Sequence, residues 1–251
     1  MAGKKRGTLR LWAVIFWLLV WQAAAMAIHQ RIFLVSPWEV LLRVGELLAV
    51  PAFYGAVLCS TGRIAAGFLL GAAAGAGLAA LAVRYRRVEE LLAPLLLTVK
   101  SIPVASFIIL ALILFSAQSL AVLISFLIVL PVVYGSTAAG IRAADRQLLE
   151  MAQVFAIPAG RRLRYIYAPQ VAPYFQSACA TAVGLAWKSG MAAEVIGMPD
   201  GSIGAQLYQA KVYLDTRDLF AWTVVIVLLS VGCERLFQIL LRLLFRALER
   251  M

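Results

Sequence analysis

Between Lys100 and Arg142 the chain carries no charged residue. About 40 residues wound into one α-helix would be roughly twice as long as a bilayer core is thick, so this run cannot be a single straight span. It reads as two, over 100–116 and 119–141, with SAQS at residues 116–119 as the polar break where the chain turns. The stretch IAAGFLLGAAAGAGLAALAV at 64–83 is likewise free of charge and marks a span over 62–83. Leu11–Ile28 marks another at the start. Two later stretches, 174–196 and 219–241, are long and apolar enough to cross although they contain Lys188, Glu194, Glu234 and Arg235. The expectation is an all-α, polytopic membrane protein with six transmembrane helices. Its composition agrees: 63% of residues are hydrophobic, only 14% are charged, and mean hydropathy is +0.91.

The net charge of +11 raises the question of a nucleic-acid partner, and the position of the charges answers it. With the N-terminus in the cytoplasm and six spans threaded, 15 of the 23 Lys and Arg residues fall in cytoplasmic segments. They include the basic N-terminus at 1–10, Arg84, Arg86 and Arg87, a group from Arg142 to Arg164, and three near the C-terminus. Arg31, Arg43, Arg63, Lys211 and Arg217 fall outside. That asymmetry is what the positive-inside rule requires, so the basic charge reports topology, and no nucleic-acid partner is implied. The same reading puts both termini in the cytoplasm. KKR followed by an apolar run and AAAMA also resembles a secretory signal, and cleavage after Ala27 would leave five spans. An apolar run of 18 residues exceeds the usual signal core, so the first span is expected to be retained.

Little in the chain suggests catalysis. Cys59, Cys179 and Cys233 lie far apart, with no disulfide or zinc spacing, and His29 is the single histidine. No GxxxxGK[ST] phosphate loop is present, so nucleotide energy would have to come from another polypeptide. No cofactor or metal is expected.

Gly67, Gly71 and Gly75 recur every four residues and share one helix face, which suits close approach of a second helix within the bundle or at a subunit interface. Pro103 and Pro131 can each kink a span, at a pathway wall or for packing alone. Lys188 and Glu194 lie in or near the fifth span, where ionisable groups usually face a cavity or a partner. Six residues turn a helix through about 600°, which places the two on opposed faces. Lys188 either faces an aqueous pathway, favouring an anion, or snorkels to the interface, and Glu194 supports the outer end of the span.

The segment at 142–172 is cytoplasmic in this topology and longer than a simple connection needs. LLEMAQVF forms a helix with Leu148, Leu149, Ala152 and Phe155 as an apolar stripe, and IPAG stops it. RRLRYIYAP supplies a second short helix, with Pro169 and Pro173 at the return to the membrane. Apolar knobs flanked by charge suit a groove on a partner. The segment resembles the cytoplasmic loop of ABC importer permease subunits, in which EAA is followed by three residues, glycine, nine residues, isoleucine, one residue and LP. Glu150, Met151 and Ala152 stand at EAA, Ala156 at the glycine, Ile166 at the isoleucine, and Ala168 and Pro169 at LP. Met151, Ala156 and Ala168 depart from the pattern. SPWEVLLRVGELL, LLAPLLLTVKSIPVASFIILALILF, AAEVIGMPDGSIG and VYLDTRDLFAWTVVIVLLS are further segments, in order, similar to the nitrate, sulfonate and taurine branch of these permeases. The resemblance spans roughly 35–245.

That resemblance implies a MetI-like permease bundle with no enzymatic activity of its own, in the bacterial inner membrane. Two copies would form a translocation path, two cytoplasmic ABC ATPase subunits would dock on the loops, and an extracytoplasmic binding protein would deliver substrate. Glu150, Ala152, Ala156, Ile166 and Pro169 would belong to the ATPase-coupling loop. The solute would be a sulfonate, taurine, nitrate or a vitamin precursor. A self-contained channel or secondary transporter is the alternative, although the halves show no internal symmetry. A membrane enzyme would want clustered His, Asp or Glu at membrane depth, which the chain lacks.

Overall fold

The glycine stripe sets the centre of the bundle. In a computed structural model that describes residues 11–28 and 34–249, Gly67, Gly71 and Gly75 lie on α3 (Pro51–Arg84) against α6 (Ala117–Arg142). A Cβ on Gly67 would sit 2.4 Å from the Val122 carbonyl oxygen, and one on Gly71 or Gly75 would sit 2.8 Å from the carbonyl oxygens of Phe126 and Leu130. Backbone therefore meets backbone at all three positions, where only glycine fits. The partners on α6 advance in step with the glycines, so α3 and α6 run parallel.

The third central helix, α9 (Ala168–Gly197), runs antiparallel to α6. Gly140 faces the Tyr174 ring, the Ser125 hydroxyl donates to the Ala186 carbonyl at 3.2 Å, and Gly197 packs on Leu120. Ile64, Phe68, Val129, Val133, Ala182 and Trp187 fill the core between the three helices. α11 (Thr216–Glu249) closes one side through Trp222 stacked on Phe53 and Phe237 edge-on to Phe68. α1 (Leu11–Ile28) leans on it through Trp21 and Phe220.

Two parallel helices cannot be joined without a return crossing, and only α4 (Arg86–Ser101) and α5 (Val104–Leu114) lie between them. They are bent by 109° at a short break. The span expected over 100–116 is thus broken near its start, at the proline that can kink it. Pro103 holds the N-cap of α5, and the residue before it, Ile102, is extended at φ −78° and ψ 131°. At 11 residues α5 is too short to cross alone. Pro131, by contrast, leaves α6 a continuous helix of 26 residues. Among the described residues, α3, α6 and Thr216–Leu241 of α11 are long and apolar enough to cross a bilayer, and the bent pair counts as a fourth when taken as one broken span. The described residues contain no strand.

α2 (Pro37–Leu48) begins with the Ser36 hydroxyl accepting from the Glu39 amide at 3.3 Å and with Pro37 in the first turn. It is tied to α11 by Arg43, whose guanidinium forks onto both Asp218 oxygens and also reaches Glu46 at 2.7 Å. Hydrogen bonds to Asp218 and then to Glu46 raise the Arg43 pKa, so the guanidinium stays protonated at any ordinary pH. The basic N-terminus at 1–10, His29 and Arg31 lie outside the described residues.

Candidate functional site

Two polar features stand at opposite ends of the bundle, about 30 Å apart along α6. The first is the segment after α6, built from α7 (Arg146–Val154), α8 (Ala159–Arg162) and a π turn over Leu163–Tyr167 that runs straight into α9. Asp145 caps α7 by accepting from the Gln147 amide at 2.8 Å, and its own amide donates to Gln170 of α9, also at 2.8 Å. The start of α7 is thereby fixed to the first turn of α9.

Ala156 carries the main surprise of the segment. α7 ends with Ile157 N–H donating to the Ala152 carbonyl at 2.9 Å and Ala156 N–H to the Gln153 carbonyl at 3.0 Å, the paired bonds of a Schellman stop. That stop needs a left-handed residue, and Ala156 supplies it at φ 48°. The position matching the motif glycine thus has the backbone that glycine favours, held here by alanine at a cost of about 1 kcal/mol. Ala156→Gly should relieve most of this, less the extra freedom glycine gains in the unfolded chain. Amides at 151–157 are expected to exchange with solvent about twofold more slowly, read by hydrogen-exchange mass spectrometry. Unchanged or faster exchange would refute the strain.

Neither Pro169 nor Pro173 interrupts α9. Pro169 stands in the first turn of α9, Pro173 lies inside it, and the π turn just ahead widens the helix, with Ala168 N–H reaching the Leu163 carbonyl. Prolines that lack amide donors are thus absorbed within a continuous helix instead of ending it. Ala152 and Ile166 are buried, whereas Glu150, Ala156 and Pro169 are exposed. The outward apolar surface comes from Phe155, 73% exposed, and Val154, 82% exposed, with Met151 beside them. Val154 and Met151 fall outside the helical stripe read from sequence, because the knob forms where the helix stops.

The second feature surrounds Glu194, whose side chain is 0% exposed. Its Oε2 accepts from the Ser60 hydroxyl at 2.5 Å and from the Gly204 amide at 3.4 Å, and its Oε1 lies 3.5 Å from Arg63 Nη1. Ser60 in turn accepts from the Ile203 amide at 2.9 Å. Ile203 and Gly204 open α10 (Ile203–Val212), capped by Ser202, so the carboxylate meets the positive end of a helix. Arg63 also donates to Gln118 at the start of α6. One carboxylate therefore joins α3, α9 and α10, and Arg63 extends the network to α6. Gly204 permits this contact, since a Cβ there would fall 2.4 Å from Glu194 Cβ. Sequence reasoning missed Ser60, Arg63, Gln118 and Gly204. The available signal was that Ser60 lies seven residues before Gly67, on the same face of α3.

Lys188 and Glu194 are not brought together. Lys188 is exposed, on a stripe of α9 that also presents Ser177 and Thr181. Spacings of four and seven residues put all three on one side of the helix, opposite the buried core face. No group of three His, Cys, Asp or Glu is placed to hold a metal among the described residues.

Apolar helices of bilayer length around a glycine-packed core, with polar groups concentrated where helices join, define a helical integral membrane protein. The chain belongs to the family of binding-protein-dependent transport system inner membrane components, which it matches over residues 67–250. It is a transport permease and not an enzyme. It is 27% identical over 230 residues to the "Putative aliphatic sulfonates transport permease protein SsuC" of Bacillus subtilis, covering 90% of this chain and 83% of that one. It is 28% identical over 208 residues to a "Probable ABC transporter permease protein" of Brucella melitensis, covering 82% and 84%. The riboflavin transport system permease protein RibX of Chloroflexus aurantiacus is 30% identical over 162 residues, 64% of this chain and 60% of that one. The fold is shared with a chain from the crystal structure of an amino acid ABC transporter with histidines, at a TM-score of 0.60 and 18% identity, covering 78% of this chain and 94% of that chain.

Proposed function

We propose that this chain forms the translocation path of an ATP-driven importer for a small anionic solute of the sulfonate, taurine or nitrate type, and that it couples to a separate ATPase through residues 150–169. One observation carries the coupling reading: the exposed Phe155 knob stands beside Glu150 on a segment fixed to α9 by Asp145 and Gln170. A knob on a rigid mount can convey motion, because a partner that contacts it differently in two states biases the bundle between them. α9 carries the other end of that lever, through Glu194, to α3 and α10.

The topology that fits is six spans, with α1 and α9 as the first and fifth, the bent α4–α5 pair as the third, and both termini in the cytoplasm. Two copies would face each other across the Ser177, Thr181 and Lys188 stripe, and an extracytoplasmic binding protein would deliver the solute. The sulfonate permease relative, similar over nine-tenths of this chain, supports an anion, as does an exposed lysine among hydroxyls.

Purification in mild detergent with the neighbouring subunits tests the reading: an ATPase should stay bound, and uptake into vesicles should require ATP. Uptake without ATP and without a retained ATPase would instead indicate a channel or secondary transporter. In the same assay Lys188→Met should reduce sulfonate uptake at least about tenfold, and intact uptake would remove Lys188 from the path.

A further inference from the structure

Two helix stops in the bundle are built alike. α10 ends with Asp215 N–H donating to the Ala210 carbonyl at 2.9 Å and Leu214 N–H to the Lys211 carbonyl at 3.2 Å, and Leu214 is left-handed at φ 55°. This is the stop that ends α7 on Ala156, again without the glycine such a backbone favours. AQVFA at 152–156 and AKVYL at 210–214 therefore match position for position. In each the leading alanine is buried, and the valine and aromatic residue that follow are exposed. Tyr213 is 80% exposed and Leu214 73%.

The two stops lie at opposite ends of the molecule. α11 runs parallel to α3, since Trp222 meets Phe53 and Phe237 meets Phe68, so Thr216 stands at the end where α3 begins and α9 finishes. The turn is held on both sides. Asp215 Oδ1 accepts from the Asp218 amide at 3.1 Å, and the Asp218 side chain carries the Arg43 clasp from α2. On the other side, α10 seats its first turn on the Glu194 carboxylate through the Gly204 amide.

Lys211, Asp215, Arg217 and Asp218 crowd the same short stretch, and charges of both signs are costly at bilayer depth. A lipid tail is therefore a poor occupant, and an apolar cluster held in water marks a protein contact. The family to which the chain belongs is binding-protein-dependent, so one partner is met at the end away from the ATPase. We infer that the turn at 212–214 is the dock for the extracytoplasmic binding protein. Tyr213 and Leu214 enter an apolar pocket on that protein, and Lys211 and Arg217 meet its polar rim. Docking loads α10, whose first turn rests on Glu194 near the end of α9, while Asp145 and Gln170 fix the ATPase segment to the start of α9. One helix thus joins both docks, and a partner that contacts the turn differently in two states of the bundle biases the far end.

The inference rests on the proposed importer reading and its orientation. Biolayer interferometry tests it, with the full chain and its ATPase in nanodiscs and the purified binding protein encoded beside the chain as probe. Tyr213→Asp should weaken binding at least about thirtyfold, with the ATPase retained and melting within about 2 °C of wild type. Leu214→Gly should weaken it about tenfold although glycine eases the backbone, which relief of strain alone would not do. Tyr213→Cys, with the native cysteines removed, repeats the block on a folded chain: labelling with a bulky maleimide should lower binding to the Tyr213→Asp level. Binding that survives these changes overturns the dock and leaves the importer reading standing. A lowered oligomeric mass in Tyr213→Asp with binding intact would make a second copy the occupant, and the inference would fall. A wild-type assembly that transports yet never binds the probe would overturn the importer reading and the dock together. Labelling of Tyr213→Cys in intact cells by an impermeant maleimide reads the orientation separately, and no labelling from outside would refute it and the dock.

Discussion

Glu194→Ala is expected to destabilise the chain by about 3–5 kcal/mol, because it removes the centre of a buried network and leaves its donors behind. The Arg63 guanidinium, mostly buried, would lose its carboxylate, the Gly204 amide would lose its acceptor, and the Ser60 hydroxyl would be left without the partner that orients it toward Ile203. For a chain of this size that corresponds to a fall of roughly 10 °C in melting temperature, measured by tryptophan fluorescence in detergent. Glu194→Gln keeps an oxygen for Ser60 but presents an amide to Arg63, so its melting point should fall between the two. Ser60→Ala should cost less, about 1–3 kcal/mol, since it strands the Ile203 amide while Arg63 keeps its ion pair. A double-mutant cycle of Ser60 and Glu194 should show strong coupling. Melting of Glu194→Ala within about 2 °C of wild type would mean that the carboxylate does not hold α3, α9 and α10 together.

That network also shows where sequence reading reaches its limit. Gly67, Gly71 and Gly75 announce a close helix contact through spacing alone, because the cause and the signal lie in one helix. Glu194 and Ser60 are 134 residues apart, and nothing in either neighbourhood specifies the other. The charge-free run from Lys100 to Arg142 shows that the chain must turn, yet it breaks twice, at Ile102 and Pro103 between α4 and α5 and again at SAQS before α6. A proline in an apolar run has two outcomes, and neighbours select between them: Pro131 stays inside a helix packed on both sides, whereas Pro103 starts a new one. The motif register found Ala156, but only the backbone shows that the residue is left-handed. At the helix end, period-based reasoning places Phe155 and Ala152 on one apolar stripe, whereas the structure buries Ala152 and leaves Phe155 exposed.

Phe155→Asp is expected to abolish ATP-driven uptake while leaving the chain folded. A side chain that is 73% exposed contributes little to the bundle, so the melting temperature should stay within about 2 °C of wild type. At an interface, an aromatic anchor seated in a pocket is worth about 2 kcal/mol or more, so ATPase binding should weaken at least about thirtyfold. A carboxylate forced into that pocket adds a desolvation cost that a simple truncation would not. Glu150→Lys provides the graded comparison. Glu150 is exposed at the edge of the knob, and reversing its charge should weaken docking less, with a loss that diminishes as salt is raised. Loss of ATPase retention together with a lowered melting point would point to a structural role for Phe155. Retained ATPase and normal uptake in Phe155→Asp would move the docking surface off this segment altogether. The contrast with Glu194→Ala separates the two ends of α9, since one variant should melt early and the other should melt normally yet fail to transport.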